Sequence, residues 1–209
     1  MRIPVQALGI ALLLSSCAGQ HVRKGDQAYA LMAYEKAGRH YDKALRRPVD
    51  RPVLLRAADA MRRRNETARA AALYQAAETM APLSGDDAFR FGQVLMSSAR
   101  WKEAGDQFLR VLSERPEDRA AMDLFGSCQG YRSFKADSAR FTVGELPLEG
   151  IATAFSAVPY KDGIVFTGER EVGSAKANPW NGMSFLDIYH SKRKGAIYWE
   201  EARALEGAV

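Results

Sequence analysis

Two cysteines and three histidines in 209 residues leave little material for disulfide or metal chemistry. Cys17 falls in the leader region, so no disulfide framework is available, and Cys128 is left as a lone thiol of the kind that packs as a small apolar residue. His21, His40 and His190 belong to different predicted elements, and none has a cysteine or second histidine at ligand spacing. Long hydrophobic runs are also missing. The apolar stretch Val5–Leu14 is too short to span a bilayer as a helix. There is no His-Glu-x-x-His, no glycine-rich phosphate loop with lysine and no Gly-x-Ser-x-Gly elbow. Ser191-Lys-Arg-Lys194 has the Ser-x-x-Lys spacing of penicillin-binding enzymes but lacks the companion motifs. The acid pairs are no stronger: Asp86-Asp87 precede a predicted helix, where carboxylates cap free amides, and Glu200-Glu201 need not converge. The expectation is a protein without catalysis, cofactor or metal. The charge balance, 30 Lys and Arg against 25 Asp and Glu, is +5 with the two signs interleaved, which reads as a solvated helical surface rather than a nucleic-acid arm.

Arg2, the apolar run to Leu14, and the small residues Ser15 and Ser16 make a secretory leader over residues 1–16. The tetrad Leu14-Ser15-Ser16-Cys17 resembles a bacterial lipobox. That resemblance implies a diacylglyceryl group on the Cys17 sulfur, cleavage before it, and a lipidated linker over 17–24. Several acyl chains hold a protein on a membrane, because each buried methylene contributes roughly 0.8 kcal/mol. Ala18-Gly19-Gln20 has no aspartate of the kind that implies inner-membrane retention, so the expected location is the outer membrane, facing the periplasm. An ordinary leader with a coincidental cysteine is the alternative.

The mature part opens on a repeat. Ala70, Tyr74, Ala77 and Pro82 recur 34 residues later as Ala104, Phe108, Val111 and Pro116. Ala37, Tyr41 and Ala44 precede the first set by 33, with Pro48 one place out of register. The small, aromatic, small and proline order resembles the second helix of the tetratricopeptide repeat. Small residues let antiparallel helices approach, the aromatics fill the gap to the next unit, and proline ends the helix. Leu54, Ala57, Ala58 and Met61, then Ala88, Phe91, Gly92 and Leu95, fit the first helices, with Gly92 where the family needs its smallest residue. A fourth unit begins near Arg119, with Phe125 and Gly126 in the matching slots, and is expected to degrade through Gly130 into a cap. The resemblance assigns residues 25–138 to the repeat domain; a generic array of helical hairpins is the alternative. First helices line the concave wall where partner segments lie in such stacks. The candidate contacts there are Leu55, Asp59, Arg62, Arg63, Phe89, Gln93 and Met96. Arg62-Arg63-Arg64 suits a carboxylate or acidic peptide, or is simply a solvated helix end.

Beyond Phe134 the periodicity changes. Arg140–Leu146, Ala154–Tyr160, Ile164–Glu169 and Phe185–Ser191 read as short strands, with Lys161-Asp162-Gly163 as a tight hairpin whose Asp-Gly tolerates positive backbone angles. The run from Phe155 to Phe166, Asn178-Pro-Trp180-Asn-Gly182 and Phe185-Leu-Asp187-Ile-Tyr189 resemble one blade of a WD40-like propeller, and Trp199 with Leu205-Glu-Gly207 the start of the next. The order of lipid anchor, tetratricopeptide repeats and blade resembles OmpA-family lipoproteins of Bacteroidota, including the type associated with type IX secretion. Residues 139–209 hold one blade and a fragment, whereas a propeller needs at least four blades of roughly 40 residues. The chain therefore reads as truncated, and the peptidoglycan-binding domain that closes the family is not carried over. A small independent β domain or a loose tail are the alternatives.

The fold expected is thus mainly α, a tetratricopeptide-type stack followed by a short antiparallel β segment. The partners implied are secretion or outer-membrane proteins and, through the lipid, the membrane. A peptidoglycan-remodelling enzyme or enzyme activator with a repeat-type docking module is the competing class.

Overall fold

The computed structural model describes residues 19–142, 144–170, 177–195 and 198–205. The leader, Cys17 and Gly207 lie outside the described residues. The chain divides into two compact units, the first reaching Arg140 and including Pro179–Asn181, the second made of Phe141–Asn178 and Gly182–Val209.

The first unit is a tetratricopeptide-like stack of helices. Residues 19–30 form helix α1, so residues 19–24, expected as linker, are helical. It is followed by α2 (Tyr34–Ala44), α3 (Arg51–Arg63), α4 (Thr67–Met80), α5 (Gly85–Ser97), α6 (Trp101–Glu114) and α7 (Arg119–Phe134). Pro82 and Pro116 stand just past the ends of α4 and α6, where a missing amide hydrogen does no harm. Helices pair as α1 with α2, α3 with α4, and α5 with α6, and each pair is closed by the same turn. Met32, Asn65 and Ala99 take left-handed φ values of 56°, 61° and 56°. The next amides, on Ala33, Glu66 and Arg100, each donate back to a carbonyl five residues earlier, on Ala28, Met61 and Leu95, at 2.9 Å. This is the bonding of a Schellman cap, which satisfies helix-end carbonyls. Asn65 is a residue that adopts this conformation readily, whereas Met32 and Ala99 are not, so at those two the turn is held by helix packing on both sides of it rather than by backbone preference.

The pairing rests on a small residue of the first helix lying beneath an aromatic ring of the second. Gly25 meets Tyr41, and Gly92 meets Phe108: a Cβ on either glycine would stand 2.7 Å from the ring. Ala58 and Tyr74 occupy the same slots in the middle pair, and all three rings are fully buried. Ala37, Ala70 and Ala104 are likewise fully buried, as close approach requires. Among the described residues the fourth unit shows only its first helix. Contrary to expectation, α7 passes straight through Gly130 to Phe134. It packs on α6 with Gly105 against Cys128 and Phe125, at 3.6 and 3.7 Å from an ideal Cβ, and Cys128 is buried as read. Gly126 has nothing within 4 Å of an ideal Cβ.

The three aromatic slots differ in their polar ends. The Tyr41 hydroxyl donates to Asp26 Oδ1 at 2.7 Å, whereas the buried Tyr74 hydroxyl has no partner and its ring stacks on Phe91, centroids 5.5 Å apart. An unpaired buried hydroxyl costs free energy that a hydrogen-bonded one recovers. Tyr41→Phe is expected to lower unfolding stability by about 1 kcal/mol, and Tyr74→Phe to leave it unchanged or raise it by up to about 1 kcal/mol. Urea unfolding of the two variants side by side checks the contrast. Within the same unit Trp180 lies edge-on to Tyr34, centroids 4.5 Å apart, and donates from Nε1 to the Arg63 carbonyl at 2.9 Å.

The second unit is a four-stranded antiparallel meander, ordered β1 (Ile151–Tyr160), β2 (Gly163–Arg170), β3 (Asp187–Lys192) and β4 (Arg203–Ala204). The last three of the four expected strands correspond to β1, β2 and β3. Arg140–Leu146 does not form a strand: Ser138–Arg140 is a single 3₁₀ turn and the described residues after it are irregular. The hairpin closes at Tyr160 and Gly163, but the positive φ of 51° falls on Lys161 and not on the expected Asp-Gly. Gly163 is required for another reason: a Cβ there would lie 2.0 Å from the Ser191 carbonyl oxygen on β3. Phe166, Tyr189 and Ala202 form the small core, with Leu148, Ile151 and Ile164 against it. The outer strand β1 is exposed along nearly all its length and is bulged between Phe155 and Val158, where Ser156 has a φ of 54°. Such a bulge bends an edge strand away from casual pairing.

Candidate functional site

The first helices α1, α3 and α5 together wall a cleft of about 230 Å³, lined by Tyr29, Pro52, Leu55, Arg56, Asp59, Asp87 and Arg90. Its organising group is Asp59, only 2% exposed although it is a carboxylate on the wall side of α3. Tyr29 of α1 donates its hydroxyl to Oδ2. Arg62 Nε donates to Oδ1 at 2.7 Å, Arg63 Nε reaches Oδ2 at 3.5 Å, and Arg90 Nε of α5 stands 3.9 Å from Oδ1. One carboxylate therefore draws in side chains from three helices. Burial works to raise its pKa, but the Tyr29 hydrogen bond and then Arg62 and Arg90 outweigh it and hold the carboxyl below its ordinary value. The Tyr29 hydroxyl is pushed up to about 12, by burial first and then by its hydrogen bond to Asp59 and that residue's charge. Asp87 moves the other way: burial raises it, and Arg90 and Arg51 only partly compensate.

Of the seven candidate contacts, Leu55 and Asp59 line this cleft directly, and Arg62 and Arg63 join it through Asp59. Asp59 is too buried to touch a partner and acts by positioning the arginines. Arg63 also sits over the Tyr34 ring at 5.5 Å. Phe89 and Met96 are half-buried against the core, Phe89 edge-on to Phe108 with centroids 5.7 Å apart. Gln93 is half-buried on the same helix and lines none of the cleft. Tyr29, Pro52, Arg56 and Arg90 escaped the sequence reading, and Asp87 was read only as a helix-capping carboxylate. The repeat held a usable signal for one of them, since Arg90 stands 34 residues after Arg56 and so shares its slot. Nothing local marks Tyr29, whose role comes from the packing of α1 on α3.

Each guanidinium offers five N–H donors; Arg62 and Arg63 turn one or two nitrogens to Asp59, and Arg90 turns three toward Asp59, Asp86 and Asp87, so the rim retains donors beside the apolar Leu55. The arrangement suits an extended segment that presents carbonyl or carboxylate oxygens and one apolar side chain. Asp86 and Asp87, expected ahead of α5, lie in its first turn and pair with Arg115 at 3.0 Å and Arg90 at 3.5 Å. Ser191 is 1% exposed and donates to the Glu200 carbonyl at 2.6 Å. Antiparallel packing of α1 and α2 does bring His21 and His40 together, Nδ1 to Nδ1 at 3.4 Å, a pairing that their 19-residue separation concealed. Among the described residues no group of three metal-ligating side chains forms, and no helix is long and apolar enough to cross a membrane.

Paired helices closed by one repeated turn, with a small residue under each aromatic ring, define a helical-repeat fold of tetratricopeptide type with a cleft on its first-helix wall. No protein-family model matches the chain, and no curated protein does. Among solved structures, the tetratricopeptide domain of Sgt2 from Aspergillus fumigatus is similar to 65% of this chain and 91% of its own length, with 17% identity and a TM-score of 0.46.

Proposed function

We propose that the protein is a non-catalytic scaffold lipoprotein of the bacterial outer membrane, lipid-anchored at Cys17 and facing the periplasm, that holds a segment of another protein against its first-helix wall. The observation that carries the binding role is the convergence of Arg62, Arg63 and Arg90 on the buried Asp59, which fixes charged donors around an apolar floor without using them up. The lipobox-like tetrad carries the anchoring role. By its resemblance the β unit belongs to a propeller-type blade, and the partner to the secretion or outer-membrane apparatus.

A photo-crosslinking side chain at Leu55, in the full chain expressed in its native envelope, is expected to trap a discrete partner, and the same group at the exposed Leu109 of α6 is not. Arg62→Glu with Arg90→Glu should abolish the Leu55 adduct. Equal trapping at both positions, or adducts that survive the double substitution, would overturn the binding surface. Labelled palmitate incorporation lost in Cys17→Ser tests the anchor separately.

A further inference from the structure

Acids and bases alternate through the first two helices, yet their pairing is uneven. Asp26 accepts from Tyr41 and Arg56, Glu35 pairs with Arg39 and Arg64, and Asp42 pairs with Arg69. Arg56, Arg64 and Arg69 come from α3, α4 and the turn between them, so the carboxylates of the first hairpin are largely consumed by later helices. Arg23, Lys24, Lys36, Lys43, Arg46 and Arg47 remain, all exposed, with no carboxylate partner among the described residues.

Part of this surplus is organised into one face. On α2, Lys36, His40 and Lys43 fall at i, i+4 and i+7, and on α1 His21 and Lys24 are one turn apart, spacings that place each set on one side of its helix. The His21 to His40 contact at 3.4 Å ties the two rows together. His40 registers the field: burial and then His21, Lys24, Lys43 and Lys36 lower its pKa. A cationic face without internal counter-charge attracts anions from outside, over a Debye length of about 8 Å. The chain also dictates where this face is carried. His21 follows Cys17 by four residues, a reach of at most about 14 Å even if fully extended.

We infer that the α1–α2 face carrying Lys24, Lys36 and Lys43 docks on an anionic phospholipid surface, whose headgroup phosphates supply the counter-charge that the hairpin lacks. The orientation rests on the lipid-anchor reading above; the charge complementarity does not. A lipid at Cys17 would already hold the chain at the membrane, and a basic face beside it would set how the first hairpin lies on that surface.

The test uses the full chain carrying Cys17→Ser, so that no acyl group contributes, in co-sedimentation with phosphatidylcholine vesicles with and without phosphatidylglycerol. Binding is expected only with phosphatidylglycerol and should weaken as salt rises. Each lysine removed should cost about fivefold in partitioning, and the triple variant K24E/K36E/K43E more than about a hundredfold. A charge-matched control at the other end of the stack, R119E/K135E/R140E, should bind like the parent. Equal loss in the control, binding indifferent to phosphatidylglycerol, or preference for duplex DNA over the anionic vesicles would overturn the inference. Palmitate labelling of Cys17 is read independently, so an unlabelled cysteine beside intact vesicle binding removes the lipoprotein reading and leaves the docking face standing.

Discussion

Gly92→Leu is expected to destabilise the helical unit by about 3 kcal/mol, while Gly126→Leu, the same substitution one repeat later, should change stability by less than about 0.5 kcal/mol or raise it slightly. The two glycines are 34 residues apart and hold equivalent slots in α5 and α7. They differ in what lies above them. A Cβ at Gly92 would stand 2.7 and 2.8 Å from the Phe108 ring, which is itself fully buried and cannot withdraw. Nothing lies within 4 Å at Gly126. A branched side chain at position 92 must therefore push α6 off α5, whereas at position 126 it meets open space and improves helix propensity. Alanine at position 92 should cost less, since Ala58 occupies the corresponding slot beneath Tyr74. Thermal unfolding followed by helical ellipticity reads all three variants. Equal effects at positions 92 and 126 would mean that the helices do not pair as described.

Removal of the Asp59 carboxylate is the second large effect. Asp59→Ala should lower stability near neutral pH by about 3 kcal/mol, toward the low end for breaking a buried ion pair because the arginines are themselves 23 to 35% exposed. The variant leaves Arg62, Arg63 and Arg90 clustered without their common anion and takes the acceptor from Tyr29. The effect should also depend on pH with a definite sign. Because the folded carboxyl sits below the ordinary value of 3.8, its contribution is complete above that value and disappears as the pH falls through the lower folded pKa. Parent and variant unfolding curves should accordingly converge in acid and diverge toward neutrality. A gap that is constant with pH would show that Asp59 contributes by packing alone. Asp59→Asn keeps an acceptor for Tyr29 and should fall between the two. If the proposed scaffold role is correct, both variants also weaken partner capture, since the rim arginines lose the group that orients them.

Much of the helical unit was legible in the chain because its determinants are local and repeated. Ala70 with Ala104 and Tyr74 with Phe108 report their burial by recurrence at one interval, and Pro82 and Pro116 mark helix ends wherever they occur. The identical left-handed turn was not legible, because Met32, Asn65 and Ala99 share no side-chain chemistry that announces a positive φ. In the β unit the alternating strands were readable, but the positive φ expected of Asp-Gly went to Lys161, and Gly163 turned out to matter for the approach of β3. That demand comes from a strand more than twenty residues away in sequence.

The candidate site divides in the same way. Leu55, Arg62 and Arg63 could be placed on the first-helix wall from the resemblance to the repeat, but Tyr29 enters because α1 packs on α3, and Arg90 meets Asp59 because α5 lies on the other side. By itself the sequence determined the repeat interval, the helix ends and which residues are small enough to be covered, since each is a property of a residue and its near neighbours. The tertiary structure alone decided which charges neutralise one another: Arg56, Arg64 and Arg69 reach back to the carboxylates of the first hairpin and leave its lysines unbalanced. Ion pairing is settled by distance in space, to which order along the chain is a poor guide.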